Sequence, residues 1–187
     1  MLRKRRHPQI DMSPPQPAQG FEHLADESIA VLAWLQANQV EFVLVGPVAE
    51  AIRGGGDSAG PVAIVPAPYR RNFERLSRAL DASGARPRVG AGAEAARAKA
   101  AADKVVGGQR WEFSTGIHFL DVEGRTTGTP GYQELLYEAG RFELADGMSV
   151  DVASPEDIEH YAHVRRTGAS PELRITRGVQ HVGSNST

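Results

Sequence analysis

Along this chain the apolar positions change their period several times, and each change marks an element. Ile29, Leu32 and Leu35, with neighbouring alanines, recur at helical spacing behind Asp26 and Ser28, either of which suits a cap. A helix is predicted from there to about Asn38. Val40–Val45 is short, continuous and mostly β-forming, so it reads as a buried strand. Gly46-Pro47 ends it and opens a short helix, Val48–Arg53, because proline suits the first helical turn, where no amide donor is needed. Gly54-Gly55-Gly56 closes that helix. Val62–Val65 is a second apolar strand, stopped by Pro66 and Pro68. Tyr69–Ala82 then carries Phe73, Leu76 and Leu80 on one helical face, with Gly84 as its stop.

Ala91–Val106 is alanine-rich with a narrow apolar face, a helix that needs packing partners. Arg110–Ser114 and Ile117–Val122 read as strands joined across Thr115-Gly116. A short helix is predicted over Gly131–Ala139. Phe142–Leu144 and Met148–Val152 form a hairpin across Asp146-Gly147, a strong turn dipeptide. Ser154-Pro155-Glu156-Asp157 combines a cap, a first-turn proline and acidic residues, and leads into a helix over Ile158–Arg166. The expected fold class is α+β, a mixed β-sheet flanked by helices in one domain spanning residues 21–166.

The flanks differ in composition. Met1–Gly20 holds Arg3, Lys4, Arg5 and Arg6 followed by four prolines, with too little apolar material to offset the entropy of ordering it. It is expected to be a disordered basic tail, its charge a solubilising feature rather than an interaction site. Thr167–Thr187 is expected to be a polar C-terminal tail. The whole chain has 187 residues, with 21 Lys and Arg against 23 Asp and Glu and a net charge of -2, which argues against a broad nucleic-acid footprint beyond the basic tail. The cysteine count is 0, which removes disulfides, thiolate catalysis and cysteine-ligated metals. No apolar run approaches a membrane span, and His7-Pro8-Gln9 stands where a signal peptide would need apolar residues, so no membrane partner and a cytoplasmic location are expected.

The order strand, Gly46, short helix, Gly54, loop, strand, long helix resembles the core of the nucleotidyltransferase superfamily, the polymerase-β-like fold, in its small bacterial members. The first 22 positions of their pattern L-V-G-G-x-A-x-x-x-H-G-x-x-R-x-T-x-D-I-D-L-L-V align without a gap on Leu44–Val65. Asn72–Gly84 resembles the helix after the metal-binding strand, Phe119-Leu120-Asp121-Val122 the strand that brings a third carboxylate, and Val150–Ile158 the segment V-A-S-x-E-D-L. The likeness spans roughly Val40–Arg165.

That resemblance implies a two-metal site for nucleotidyl transfer, and here the chain departs from it. Active members place Asp at i and i+2 of a strand, so both carboxylates share a sheet face and gather two divalent ions. Those positions fall on Pro61 and Ala63, which supply no side-chain oxygen. The expected Arg falls on Asp57 and the expected Thr on Ala59. The second residue of the Gly-Gly pair falls on Pro47, which lacks the N–H that would help hold a triphosphate. Asp121 alone keeps its counterpart. The resemblance therefore implies a catalytically degenerate domain, a pseudoenzyme acting as an interaction, regulatory or nucleotide-binding module, with no cofactor and no metal site. Its partner would be a protein or a nucleotide. The alternative is an active enzyme using Mg2+ and an NTP at a site rebuilt from Asp57, Asp121 and Glu123, with Gly46, Arg70 and Arg71 holding the nucleotide.

Other constellations read more plainly. Glu123 would share a sheet face with Asp121 if the strand reached it, but the turn before Gly124 favours a solvated side chain. His160 and His163 stand at i, i+3, a spacing met far more often on helix surfaces than in metal sites. His118 alternates away from Asp121 and reads as a partly buried structural residue. Gly54–Gly56 lacks the Lys-Ser or Lys-Thr of a P-loop. Tyr69, Arg70, Arg71 and Arg75 form a basic start to a helix, ordinarily a solvated face.

Overall fold

The computed structural model describes residues 14–56, 58–88, 110–124 and 128–168. The element order is α1 (Asp26–Ala37), β1 (Phe42–Val45), α2 (Gly46–Ile52), β2 (Val62–Pro66), α3 (Arg70–Ser83), β3 (Arg86–Pro87), β4 (Trp111–Ser114), β5 (Phe119–Val122), α4 (Tyr132–Glu138), β6 (Gly140–Ala145), β7 (Met148–Val152) and α5 (Pro155–Thr167). The strands form one mixed sheet in the order β3-β4-β5-β2-β1-β7-β6. The pairs β2–β5 and β1–β7 run parallel and the others antiparallel. The expected α+β class holds, and β1, β2 and β5 are the adjacent central strands.

Continuous apolar runs become the middle of the sheet because both of their faces are covered. All of β2 is buried, as are Val43, Leu44 and Val45 of β1. Helix α3 buries Leu76, Ala79 and Leu80 and stops at Gly84, whose φ of +65° lets its N–H reach back to the last turn. The Asp146-Gly147 turn joins β6 and β7, with Gly147 at φ +70°. Ser154 caps α5, its Oγ accepting from Asp157 N at 3.2 Å.

Some boundaries differ from those expected. The cap of α1 is Ala25, with Asp26 in the first turn and Ser28 fully buried, because the helix begins one residue earlier than its polar signals suggest. Within the expected N-terminal tail, Pro17 bridges Ala145, and Ala18 N donates to Leu144 O at 2.8 Å. The ordered chain therefore begins before Gly20, since the edge of β6 offers backbone partners that composition does not reveal. Strand β5 begins at Phe119, two residues later than Ile117, because Thr115 Oγ1 and N both donate to His118 O and close a loop there. The predicted Ala91–Val106 helix lies outside the described residues, as do residues 1–13 and 169–187 of the expected tails.

Candidate functional site

The sheet register decides which side chains meet. Val45 pairs with Ala63, Ala63 with Asp121, and Asp121 with Glu112, so one row crosses β1, β2, β5 and β4 on a single sheet face. Asp121 is only 1% exposed. Glu123 continues the β5 ladder by donating its N–H to Ile64 O at 2.8 Å, which turns its side chain to the same face as Asp121. The expectation of a solvated Glu123 is thus corrected: the residue is 8% exposed. The backbone bond to β2 holds it against the sheet beyond the end of β5.

These carboxylates are met by arginines. Arg88 Nη2 donates to Asp121 Oδ1 at 3.0 Å, and Arg110 Nη2 and Arg165 Nη2 donate to Asp121 Oδ2 at 3.2 and 2.9 Å. Arg165 also donates through Nε to Glu123 Oε1 at 3.0 Å, and its Nη2 bonds the same oxygen. Arg110 Nε lies 3.6 Å from Glu123 Oε1. Glu112 pairs with Arg88 at 3.3 Å and with Arg110 at 2.8 Å. The result is a charge-balanced cluster of three carboxylates, Glu112, Asp121 and Glu123, with three guanidiniums, Arg88, Arg110 and Arg165. Removing an arginine would leave the buried Asp121 or Glu123 short of a partner, which costs more than replacing the whole cluster.

Arg165 reaches this position from the last full turn of α5, across the end of β1. A Cβ placed on Gly46 would lie 2.9 Å from Ala63 Cβ and 3.9 Å from Arg165 Nη1. With its φ of +73°, Gly46 is the residue that lets β1, β2 and the guanidinium approach each other. Beside it the start of α2 is closed: a Cβ on Gly60 would stand 2.5 Å from the Pro47 ring, so the loop before β2 packs directly on the proline.

Outward from the cluster, α2 and α5 enclose a cavity of about 710 Å³ lined on one side by Gly46, Pro47, Glu50 and Arg53 and on the other by Ile158, Glu159, Ala162 and Arg166. Arg53 is committed, donating to Ala153 O at 3.1 Å and Val152 O at 2.9 Å and lying over the Phe142 ring. Tyr161, also on this wall, donates to Pro130 O at 2.7 Å. Burial pushes its hydroxyl well above the ordinary phenol range, so it stays a donor. Near the start of α5, burial raises the Asp157 carboxyl, and the hydrogen bond from Ser154 partly opposes that rise.

The residues singled out from sequence separate. Asp121 and Glu123 come together, and Gly46 stands beside them. Asp57 lies outside the described residues. Arg70 and Arg71 do not join Gly46: α3 starts beyond Pro66, which pairs with Phe42 at the end of β1 opposite Gly46. Arg70 pairs with Glu74 on the surface, and its side chain is 91% exposed. The grouping fails because β2 carries the chain to the far end of the sheet before α3 begins. Arg75 is held by Gln39 O and Glu41. His118 Nε2 donates to Gly60 O at 2.9 Å and His160 Nε2 to Gly128 O at 2.8 Å, both structural uses.

The sequence reading missed Arg88, Arg110, Glu112 and Arg165. A signal existed for two of them: Arg110 and Glu112 alternate with Trp111 and Phe113, so strand periodicity puts both polar side chains on one face. Nothing local marks Arg165, which resembles any basic residue near a helix C-terminus.

The donor set does not suit a pair of divalent ions. Ala63 and Pro61 bring no side-chain oxygen, and both oxygens of Asp121 already accept from guanidiniums. Among the described residues no group of three or more His, Asp or Glu side chains is arranged to hold a metal ion. Among the same residues no helix is long and apolar enough to cross a membrane. No family model, curated protein or solved structure matches this chain.

Proposed function

We propose that this chain is a nucleotidyltransferase-like domain that has given up metal-dependent transfer and serves as a non-catalytic interaction module. The observation that carries the reading is the Arg165 guanidinium lying against Asp121 and Glu123, beside Ala63 and Gly46. In the family that the sequence resembles, cations gather at this end of the strands to neutralise a transferring phosphoryl group. Here the cation is a side chain of the protein, and an arginine committed to carboxylates cannot also escort a triphosphate. The order β1-β2-β5 and the parallel pairing of β2 with β5 support the alignment behind this reading.

Metal-free nucleotide binding is a second reading, favoured by the cavity between α2 and α5, whose volume of about 710 Å³ suits a ligand of that size. An active enzyme rebuilt around Asp57, Asp121 and Glu123 is less well supported, because two of those three carboxylates are already paired with arginine. Calorimetry with each nucleoside triphosphate, with and without Mg2+ or Mn2+, tests these readings together with an assay for pyrophosphate release. The expected result is no turnover and no metal-dependent heat. Nucleotide transfer that is lost in Asp121→Ala would overturn the proposal.

A further inference from the structure

We propose that the outer edge of β6 is a docking strip for a second copy of this chain, and that residues 16–18 are a strap that keeps two copies apart. β6 ends the sheet on the side away from β4 and β5, so the inference is independent of the charged cluster and of the function proposed for it.

Register fixes which backbone groups the edge offers. Ala153 N donates to Leu44 O at 3.0 Å beside the parallel pair Leu44 and Val152, so the backbone groups of Asp151 and Ala153 face β1 and those of Val150 and Val152 face β6. Val150 and Val152 are the register partners of Phe142 and Gly140. Arg141 and Glu143 alternate with these and therefore turn their N–H and C=O groups away from β7, to the open side. Among the described residues no backbone hydrogen bond meets those groups.

The strip is complementary to itself. When two β6 strands pair antiparallel about a twofold axis at Phe142, Arg141 of one copy stands opposite Glu143 of the other. Such a pair exchanges both N–H···O bonds and brings its side chains within reach, so a guanidinium meets a carboxylate on each side of the axis. Both side chains are available. That of Arg141 is 68% exposed, with Asp151 at 3.4 Å as its ion-pair partner, and Glu143 is exposed with no ion pair among the described residues.

The same pairing would set Gly140 of one copy beside Leu144 of the other, the place that Ala18 occupies. Ala18 N donates to Leu144 O at 2.8 Å, and Gln16 O accepts from Asp146 N at 3.3 Å. Pro17, which bridges Ala145 between these bonds, turns its own backbone outward, where proline offers no donor to a further strand. The strap thus fills the edge and ends it, a device that isolates a sheet from its neighbours. Its hold is slight: Gln16 and Pro17 are exposed, and the chain turns off the edge at Gly20, with φ of +94°.

Ala18→Pro in the full chain removes the donor to Leu144 O and tests the strap. Wild type should sediment as a monomer at high micromolar concentration and Ala18→Pro as a dimer. The Asp146 amide should exchange about tenfold faster in monomeric dilutions of that variant, as Gln16 leaves it. Adding either Arg141→Glu or Glu143→Arg to Ala18→Pro should restore the monomer, because like charges then oppose across the axis. Mixing those two double variants should bring the dimer back, since one carries acids at both positions and the other carries arginines. A wild-type dimer, a monomeric Ala18→Pro, an Asp146 amide as protected as in wild type, or a dimer indifferent to the charge changes would each overturn the inference.

Discussion

Ala63 and Asp121 are register partners across the parallel pair β2–β5, so a methyl group and a carboxylate stand side by side on one face of the sheet. Next along β5, Glu123 turns to the same face, and Arg165 from α5 covers both acids. Changing any one of these residues changes the charge that the others must balance.

Ala63→Asp places a further carboxylate at a fully buried position beside Asp121. The cluster then carries one uncompensated negative charge, and the expected loss is about 2–4 kcal/mol in urea denaturation. Adding Pro61→Asp creates the same-face pair that a metal would need, but Arg165 still covers the acids on that face. Stabilisation by Mn2+ is expected only when Arg165→Ala is combined with both aspartates. A Mn2+ response in the double variant with Arg165 intact would show that the guanidinium yields its place.

Asp121→Asn leaves Arg88, Arg110 and Arg165 without their shared partner. Because these arginines are partly solvated, the expected cost is about 3 kcal/mol, the lower end of the range for breaking buried pairs. In a double-mutant cycle with Arg165→Met, the coupling should be about 1–3 kcal/mol. Strict additivity would mean that the ion pair contributes nothing specific.

Gly60→Ala drives a Cβ to 2.5 Å from the Pro47 ring. The expected destabilisation is about 1–3 kcal/mol, from overpacking at the start of α2. Pro47→Gly in the same chain should recover most of that loss by removing the ring. Failure of this pair to compensate, measured by thermal unfolding, would place the strain elsewhere.

Asp157 should titrate above the ordinary aspartate range in a carbon-detected NMR experiment, because burial opposes its ionised form. Ser154→Ala should move it higher still, since the hydroxyl's hydrogen bond favours the carboxylate. A raised folded-state value means that the native protein holds the proton more tightly than the unfolded chain. The cost is absent below the unfolded value and fully present above the folded one. Asp157→Asn should therefore gain stability relative to wild type as pH rises through that interval. A difference between the two proteins that does not change with pH would refute the assignment.

Sequence pattern located nearly every described element, because continuous apolar runs, proline at helix starts and Asp-Gly or Gly stops are local signals with local causes. Val62–Val65 could be placed at the centre of a sheet since nothing polar interrupts it. Gly46 and Asp121 are singled out by the resemblance rather than by local pattern, and the lack of carboxylates at Pro61 and Ala63 is a plain fact of the sequence. The split between Gly46 and the pair Arg70 and Arg71 was not legible, because spacing along the chain does not tell which end of a sheet a helix starts from.

The sequence by itself determined the elements, the two central apolar strands and the absence of the oxygen ligands that the resemblance called for. The tertiary structure decided what stands in their place. Arg165 lies 42 residues from Glu123 and 44 from Asp121 in the chain, and only the packing of α5 across the end of β1 brings them together. Hydrophobic periodicity is fixed by neighbours a few residues apart, whereas a buried charge finds its partner through the fold as a whole. An arginine near a helix end carries no local mark of the carboxylates it will meet.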